Sequence, residues 1–167
     1  MQRLILMRHA EAERTAGSGR DRDRALSPRG RHDAAAMGRA LSTRGMRPDL
    51  ALVSPATRTR QTWTLLHDAF GDVQLREDEP LYNGGAGPLR RFVEAAADEA
   101  GCLMVVAHNP GIHLLAVEYL SEGAASPSVL ERMSGGFPPG AAAIFTVDVA
   151  GRPRFEGFLQ PRDLGSA

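Results

Sequence analysis

Two histidines and two arginines stand just past the ends of short apolar runs. Arg8-His9 follows Leu4-Ile-Leu-Met7, Arg58 comes four residues after the Ser54 that closes Leu50-Ala-Leu-Val-Ser54, and His108 follows Cys102-Leu-Met-Val-Val-Ala107. An arginine guanidinium is a rigid, permanently charged fork that grips phosphate oxygens in pairs, which suits Arg8 and Arg58. A neutral imidazole is a competent nucleophile at phosphorus, and near pH 7 histidine is mostly neutral. Neighbouring arginine charge disfavours the imidazolium and keeps such a ring neutral. Phosphoryl transfer spreads charge over three equatorial oxygens and asks for positioned positive groups and little else. The same two histidines could in principle ligate a metal. However, no His-x-x-x-His pair or dense carboxylate–histidine cluster accompanies them, and Arg8 would repel a cation, so neither metal nor any other cofactor is expected.

These residues can act together only if the fold joins them. Leu4–Met7, Asp49–Ser54 and Cys102–Ala107 are uninterrupted apolar runs, as strands covered on both faces require. Ser27-Pro28 opens a helical pattern, with Ala34, Met37, Ala40 and Leu41 at helical spacing and Gly45 as its stop. Ser54-Pro55 reads as a second cap signal, followed by Trp63, Leu66 and Phe70. The amino end of that helix would add free amides and its dipole beside Arg58. Val73–Arg76 suggests a short third strand. Leu89, Phe92, Val93 and Ala96 outline another helix, as do Leu114, Leu115, Val117 and Leu120, while Gly123–Ser128 reads as loop. Ala141–Val149 and Arg154–Leu159 resemble a terminal hairpin. The alternation predicts a single-domain α/β fold over residues 1–167, a mostly parallel sheet with helices on both faces and a C-terminal hairpin. Ligands in such sheets collect beyond the carboxyl ends of the strands, where Arg8, His9, Arg58 and His108 all fall if the strands are parallel neighbours.

Composition narrows the alternatives. The chain carries 20 basic and 20 acidic residues, and every basic one is Arg. A balanced charge argues against nucleic-acid binding, and the absence of Lys removes Schiff-base chemistry and Walker-type phosphate loops. Six arginines lie between Arg14 and Arg31, but Asp21 and Asp23 interrupt them and no aromatic is interleaved for base stacking. That stretch reads as a loop flanking the pocket, in which Arg20, Arg22 or Arg24 could meet an acidic partner. The lone Cys102 excludes an intramolecular disulfide and reads as a buried thiol. No apolar run reaches the roughly 18 residues of a membrane span, and Leu4–Met7 is too short for a signal peptide's apolar region, so no membrane contact and a cytoplasmic location are expected. His32, His67 and His113 read as structural or surface residues.

Leu-Met-Arg8-His9-Ala-Glu11, Ser54-Pro-Ala-Thr-Arg58 and Val-Ala-His108-Asn-Pro together resemble the histidine phosphatase (phosphoglycerate mutase-like) superfamily, and within it the small SixA-type phosphohistidine phosphatases. Asp21-Arg-Asp23-Arg24-Ala-Leu-Ser-Pro-Arg-Gly30, Leu81-Tyr82, Gly140-Ala-Ala-Ala-Ile144 and Pro161-Arg-Asp-Leu164 extend the likeness over nearly the whole chain. The resemblance implies that His9 accepts the phosphoryl group, that Arg8, Arg58 and His108 complete the phosphate pocket, and that His108 donates a hydrogen bond as charge builds. It further implies a backbone carbonyl accepting from His9 Nδ1–H, leaving Nε2 to attack, with water then hydrolysing the phosphohistidine. Two departures stand out. The usual Arg-His-Gly is Arg-His-Ala10 here, and the general acid of larger relatives has no counterpart, with Glu79 and Asp21 as candidates by position. The lack of an elaborate acid favours phosphohistidine on a protein, such as a phosphotransfer domain, over a small phosphorylated metabolite. A small-molecule phosphomonoesterase and an idle module that binds phosphorylated ligands are the alternatives.

Overall fold

Backbone and side chains are described for residues 1–165 in a computed structural model; of the expected domain 1–167, Ser166 and Ala167 lie outside the described residues. The chain runs through β1 (Arg3–Arg8), a 3-10 turn at Asp21–Asp23, α1 (Pro28–Thr43), β2 (Leu50–Val53), α2 (Thr57–Phe70), β3 (Gln74–Glu77) and α3 (Pro80–Asn83). It continues through α4 (Ala86–Ala96), β4 (Cys102–Ala107), α5 (Gly111–Glu122), α6 (Pro127–Ser134), β5 (Ala142–Val147), β6 (Pro153–Leu159) and a final 3-10 turn at Pro161–Leu164.

One six-stranded sheet has the order β3-β2-β4-β1-β5-β6. The β3, β2, β4 and β1 strands are parallel, and the hairpin β5–β6 adds to β1 antiparallel. Side chains alternate across a strand, and the core divides accordingly. Leu4, Leu6, Leu50, Leu52, Leu103 and Val105 face a cluster with Leu89, Val93, Ile112, Leu115 and Tyr119 of α4 and α5. Ile5, Met7, Ala51, Val53, Met104 and Val106 face Met37, Leu41, Trp63, Leu66 and Phe70 of α1 and α2. Residues covered from both sides cannot be polar, which is why the three interior runs carry no polar break. Cys102 is buried there, and burial raises its thiol to about 11, away from reactivity.

Two local readings differ from expectation. Helix α2 begins at Thr57 with Ala56 as its cap residue, and the Ser54 side chain takes no part in capping; its hydroxyl is engaged elsewhere, as described below. The stretch read as loop over Gly123–Ser128 gives way at Ser126 to α6, whose hydroxyl accepts from Val129 N–H and whose first residue is Pro127. The same Ser-Pro pair correctly opens α1, where Ser27 accepts from Gly30 N–H at 3.0 Å. Among the described residues no helix is long and apolar enough to cross a membrane.

The segment after β1 is clamped onto α1. Ser27 N–H donates to the Glu11 carbonyl at 3.0 Å, and a Cβ on Gly30 would drive into that same carbonyl oxygen. Alanine gains about 1 kcal/mol of helix propensity over glycine, but a backbone clash with no flexible neighbour outweighs it. Gly30→Ala should therefore lower unfolding free energy by about 2 kcal/mol, measured as a fall in denaturant midpoint at unchanged slope.

Candidate active site

The site is set by strand register. In the parallel β1–β4 pair Arg8 lies opposite Ala107, so His9 and His108 leave the sheet side by side, and His9 N–H donates to the Ala107 carbonyl at 3.1 Å. Their ring centroids are 5.2 Å apart. On the other flank of β4, Val53 of β2 pairs with Val106, which brings Ser54 up beside His108. The order β2-β4-β1 therefore gathers Ser54, His108 and His9 along one edge, although the chain visits these strands in a different order.

His9 is buried, at 7% exposure. Its Nδ1 lies 2.7 Å from the Ala10 carbonyl; a carbonyl only accepts, so Nδ1 carries the proton and the neutral ring keeps its lone pair on Nε2. Burial lowers His9 to about 3; the bond to Ala10 opposes the shift, while His108, Arg58 and Arg8 reinforce it. His108 is lowered to about 4, by burial first and then by Arg58. Both rings are neutral at pH 7, with the cationic surroundings that the sequence implied. The loop that carries His9 is held from two sides. Thr62, fully buried, accepts from Ala10 N–H at 3.0 Å and donates to the Arg58 carbonyl at 2.7 Å. Gly140 N–H reaches the His9 carbonyl at 2.9 Å, and with φ +80° and Pro161 2.9 Å from a would-be Cβ, only glycine fits there.

Arg8 keeps the phase of Leu4 and Leu6, and its Nη1 donates to the Phe137 carbonyl at 3.1 Å, which Asn109 also caps at 2.9 Å. Burial, then the nearby Arg58 charge, disfavours its charged form. Arg58 is 6% exposed rather than a solvated helix residue. It donates to the Asp21 carbonyl at 2.8 Å and to Asp21 Oδ2 at 3.1 Å. Buried Arg8 Nε, Arg58 Nε and His108 Nδ1 have no hydrogen-bond partner among the described residues. Unpaired buried polar atoms are costly; the two guanidinium Nε–H groups at this edge are donors suited to an anion, with His108 Nδ1 and the Asn109 side-chain carbonyl oxygen also unpartnered beside them.

Asp21 and Glu79 both sit near this edge, but in ion pairs. Asp21 accepts from the Tyr82 hydroxyl at 2.6 Å and from Arg24 at 2.8 Å, besides Arg58, and these contacts hold its carboxyl well below the usual range. Glu79 is tied to both terminal nitrogens of Arg22, which lowers its carboxyl as well. Neither carries a proton at neutral pH. Arg22 and Arg24 are thus partnered within the molecule. Tyr82 meets His108 edge-on at 5.4 Å. His113 Nε2 lies 2.7 Å from the Met133 carbonyl, His67 packs on Trp63, and His32 is exposed. Among the described residues there is no group of three or more His, Cys, Asp or Glu arranged to hold a metal ion. Sequence reasoning missed Thr62 and the true partner of Ser54. Thr62 was detectable only as a polar residue one helical turn after Arg58.

This geometry belongs to a defined class. Residues 4–100 match the sequence model of the histidine phosphatase superfamily (branch 1), and the chain belongs to that family. It is 35% identical over 141 residues to an uncharacterised protein of Mycobacterium tuberculosis (strain H37Rv), covering 84% of this chain and 87% of the relative. The crystal structure of an Agrobacterium tumefaciens protein assigned as the phosphohistidine phosphatase SixA superposes with a TM-score of 0.85 at 29% identity, covering 96% of this chain and 98% of that one. A Nakamurella multipartitia protein with the same assignment gives 0.81 at 30% identity, covering 96% of each.

The depressed His9 value has a consequence for stability. The unfolded ring binds a proton below about 6.5 and the folded ring only near 3, so stability is full above pH 6.5 and falls as pH drops through that window. Between pH 7 and pH 5 the parent should lose about 2 kcal/mol more than His9→Asn, read from denaturant midpoints at the two pH values.

Proposed function

We propose that the chain is a phosphatase that works through a covalent phosphohistidine on His9, and that its substrate is phosphohistidine on a signalling protein such as a phosphotransfer domain. The observation that carries this reading is the state of His9: Nδ1–H bound to a main-chain carbonyl at 2.7 Å, a free lone pair on Nε2, and His108 beside it at 5.2 Å. In this reading the substrate's phosphorylated ring carries a proton from solvent on its second nitrogen, and Nε2 attacks phosphorus as the P–N bond breaks and that ring departs as neutral imidazole. Arg8 and Arg58 hold the equatorial oxygens, and His108 donates to an oxygen as its charge grows. Water then attacks the phosphorus, the Nε2–P bond breaks, and inorganic phosphate leaves with His9 again neutral.

The choice of substrate rests on the leaving group. An imidazole ring protonated on its second nitrogen departs as a neutral base whose conjugate acid has a pKa near 6.5, far more readily than an alkoxide, whose parent acid is about as weak as water at 15.7. Asp21, held ionised by the Tyr82 hydroxyl and by Arg24 and Arg58, and Glu79, held so by Arg22, have no proton to offer an alkoxide. A site with two arginines and no protonated carboxyl therefore suits a phosphoramidate better than a phosphate ester. The likeness to the two proteins assigned as SixA supports the same choice.

Brief incubation with a labelled phosphodonor followed by denaturation should trap an acid-labile, base-stable label, absent from His9→Ala. Turnover should survive exhaustive chelation; loss of turnover would move the chemistry to a metal. Rates on a phosphorylated phosphotransfer domain should exceed those on simple phosphate esters, and a wide margin for the esters would overturn the substrate. Arg58→Lys should raise KM about tenfold or more, because an ammonium cannot supply the paired donors of a guanidinium.

A further inference from the structure

Ser54 has a completely buried side chain that the sequence pattern assigned to a helix cap and that caps nothing. Its Oγ lies 2.7 Å from His108 Nε2 and 3.4 Å from Ala56 N–H. A hydroxyl has one hydrogen to give and two lone pairs to receive. Ala56 N–H can only donate, so it occupies a lone pair. The hydroxyl hydrogen then has Nε2 as its acceptor among the described residues. The opposite arrangement, with Nε2–H donating to Ser54, would leave the hydroxyl hydrogen without an acceptor, whereas His108 Nδ1 has no partner among the described residues in either arrangement. A buried hydroxyl hydrogen with no acceptor is strongly disfavoured, which selects donation from Ser54 to Nε2.

We infer that Ser54 is a positioning residue that fixes His108 in the tautomer bearing its proton on Nδ1. The one unpaired ring atom of His108 is then a donor, in company with Arg8 Nε and Arg58 Nε, rather than a lone pair that would repel an anion. The register supports this assignment. Val53 lies opposite Val106, and Ser54 N–H donates to the Val106 carbonyl at 3.1 Å, so the hydroxyl is delivered to His108 by the sheet itself. Burial and the charge of Arg58 keep the ring neutral near pH 7, so it has a tautomer to choose. The value of this tautomer for catalysis rests on the phosphatase reading above; the tautomer itself does not.

Imidazole 15N resonances separate protonated from bare ring nitrogens and decide the matter without any turnover. In the wild-type protein at pH 7, His108 should show a protonated Nδ1 and a bare Nε2. In Ser54→Ala the two forms should mix or invert, while His9 keeps its own pattern. Ser54→Cys fills the same space with a weak donor and should shift His108 in the same direction. Wild-type His108 protonated on Nε2 would overturn the inference, as would an unchanged pattern in both variants. The wild-type spectrum alone decides the outcome should neither variant fold. In turnover, both variants should lose about ten- to a hundredfold in kcat with KM changed less than threefold, as expected for a hydrogen bond that strengthens in the transition state. An absent phosphoryl label in the wild type would sink the phosphatase reading and leave the tautomer result standing.

Discussion

Parallel pairing between β1 and β4, in the single register that sets Arg8 against Ala107, is the constraint on which the site depends. Side chains alternate with a period of two, so a slip of one residue would turn His9 and His108 to opposite faces and bury charged Arg8 among the helices of the other layer. The register is enforced by the core. Leu4, Leu6, Leu103 and Val105 must face one helical layer, and Ile5, Met7, Met104 and Val106 the other. Hydrophobic burial over two whole strands thus places two polar rings to within contact distance. The site inherits its geometry from residues that lie outside it.

The fold also explains how a neutral imidazole is kept among positive charges. Burial supplies the larger effect on His9 and His108, and the arginines add to it. Arg58 is itself balanced by Asp21 from the 3-10 turn, which is anchored in turn by Tyr82 and Arg24. That carboxylate, a positional candidate for proton donation, also helps to aim the Arg58 guanidinium. The segment between β1 and α1 thereby contributes to the site through one ion pair rather than through its abundance of arginine.

Much of this could be read from the residues alone. The three interior strands, the Ser27 cap, the hairpin and the meeting of Arg8, His9, Arg58 and His108 at one sheet edge follow from apolar runs and the punctuation around them, because burial on both faces leaves a one-dimensional trace. Ser54 was misread because Ser-Pro before a helix has two uses. A cap needs the hydroxyl turned to the helix amides, and here it is turned instead to the ring of His108 at 2.7 Å. The same pair at Ser126-Pro127 was overlooked amid small residues, although it does cap a helix. Asp21 and Thr62 were illegible for a different reason. Their partners lie 37 and 52 residues away in sequence, and nothing in a linear pattern records such a meeting.

The Ala10 carbonyl that accepts from His9 Nδ1–H belongs to the main chain. Where a carboxylate side chain orients a histidine, a single codon change can abolish the arrangement. Here every residue type presents the same oxygen, so the contact to Nδ1 does not depend on the identity of residue 10; what limits that position is the room for its side chain, fully buried against Leu26 and Ala34. This explains in physical terms why an alanine can stand where the resemblance led one to look for glycine. The loop that presents that oxygen is in turn held by distant groups, Thr62 and Gly140, so the arrangement depends on them as much as on residue 10.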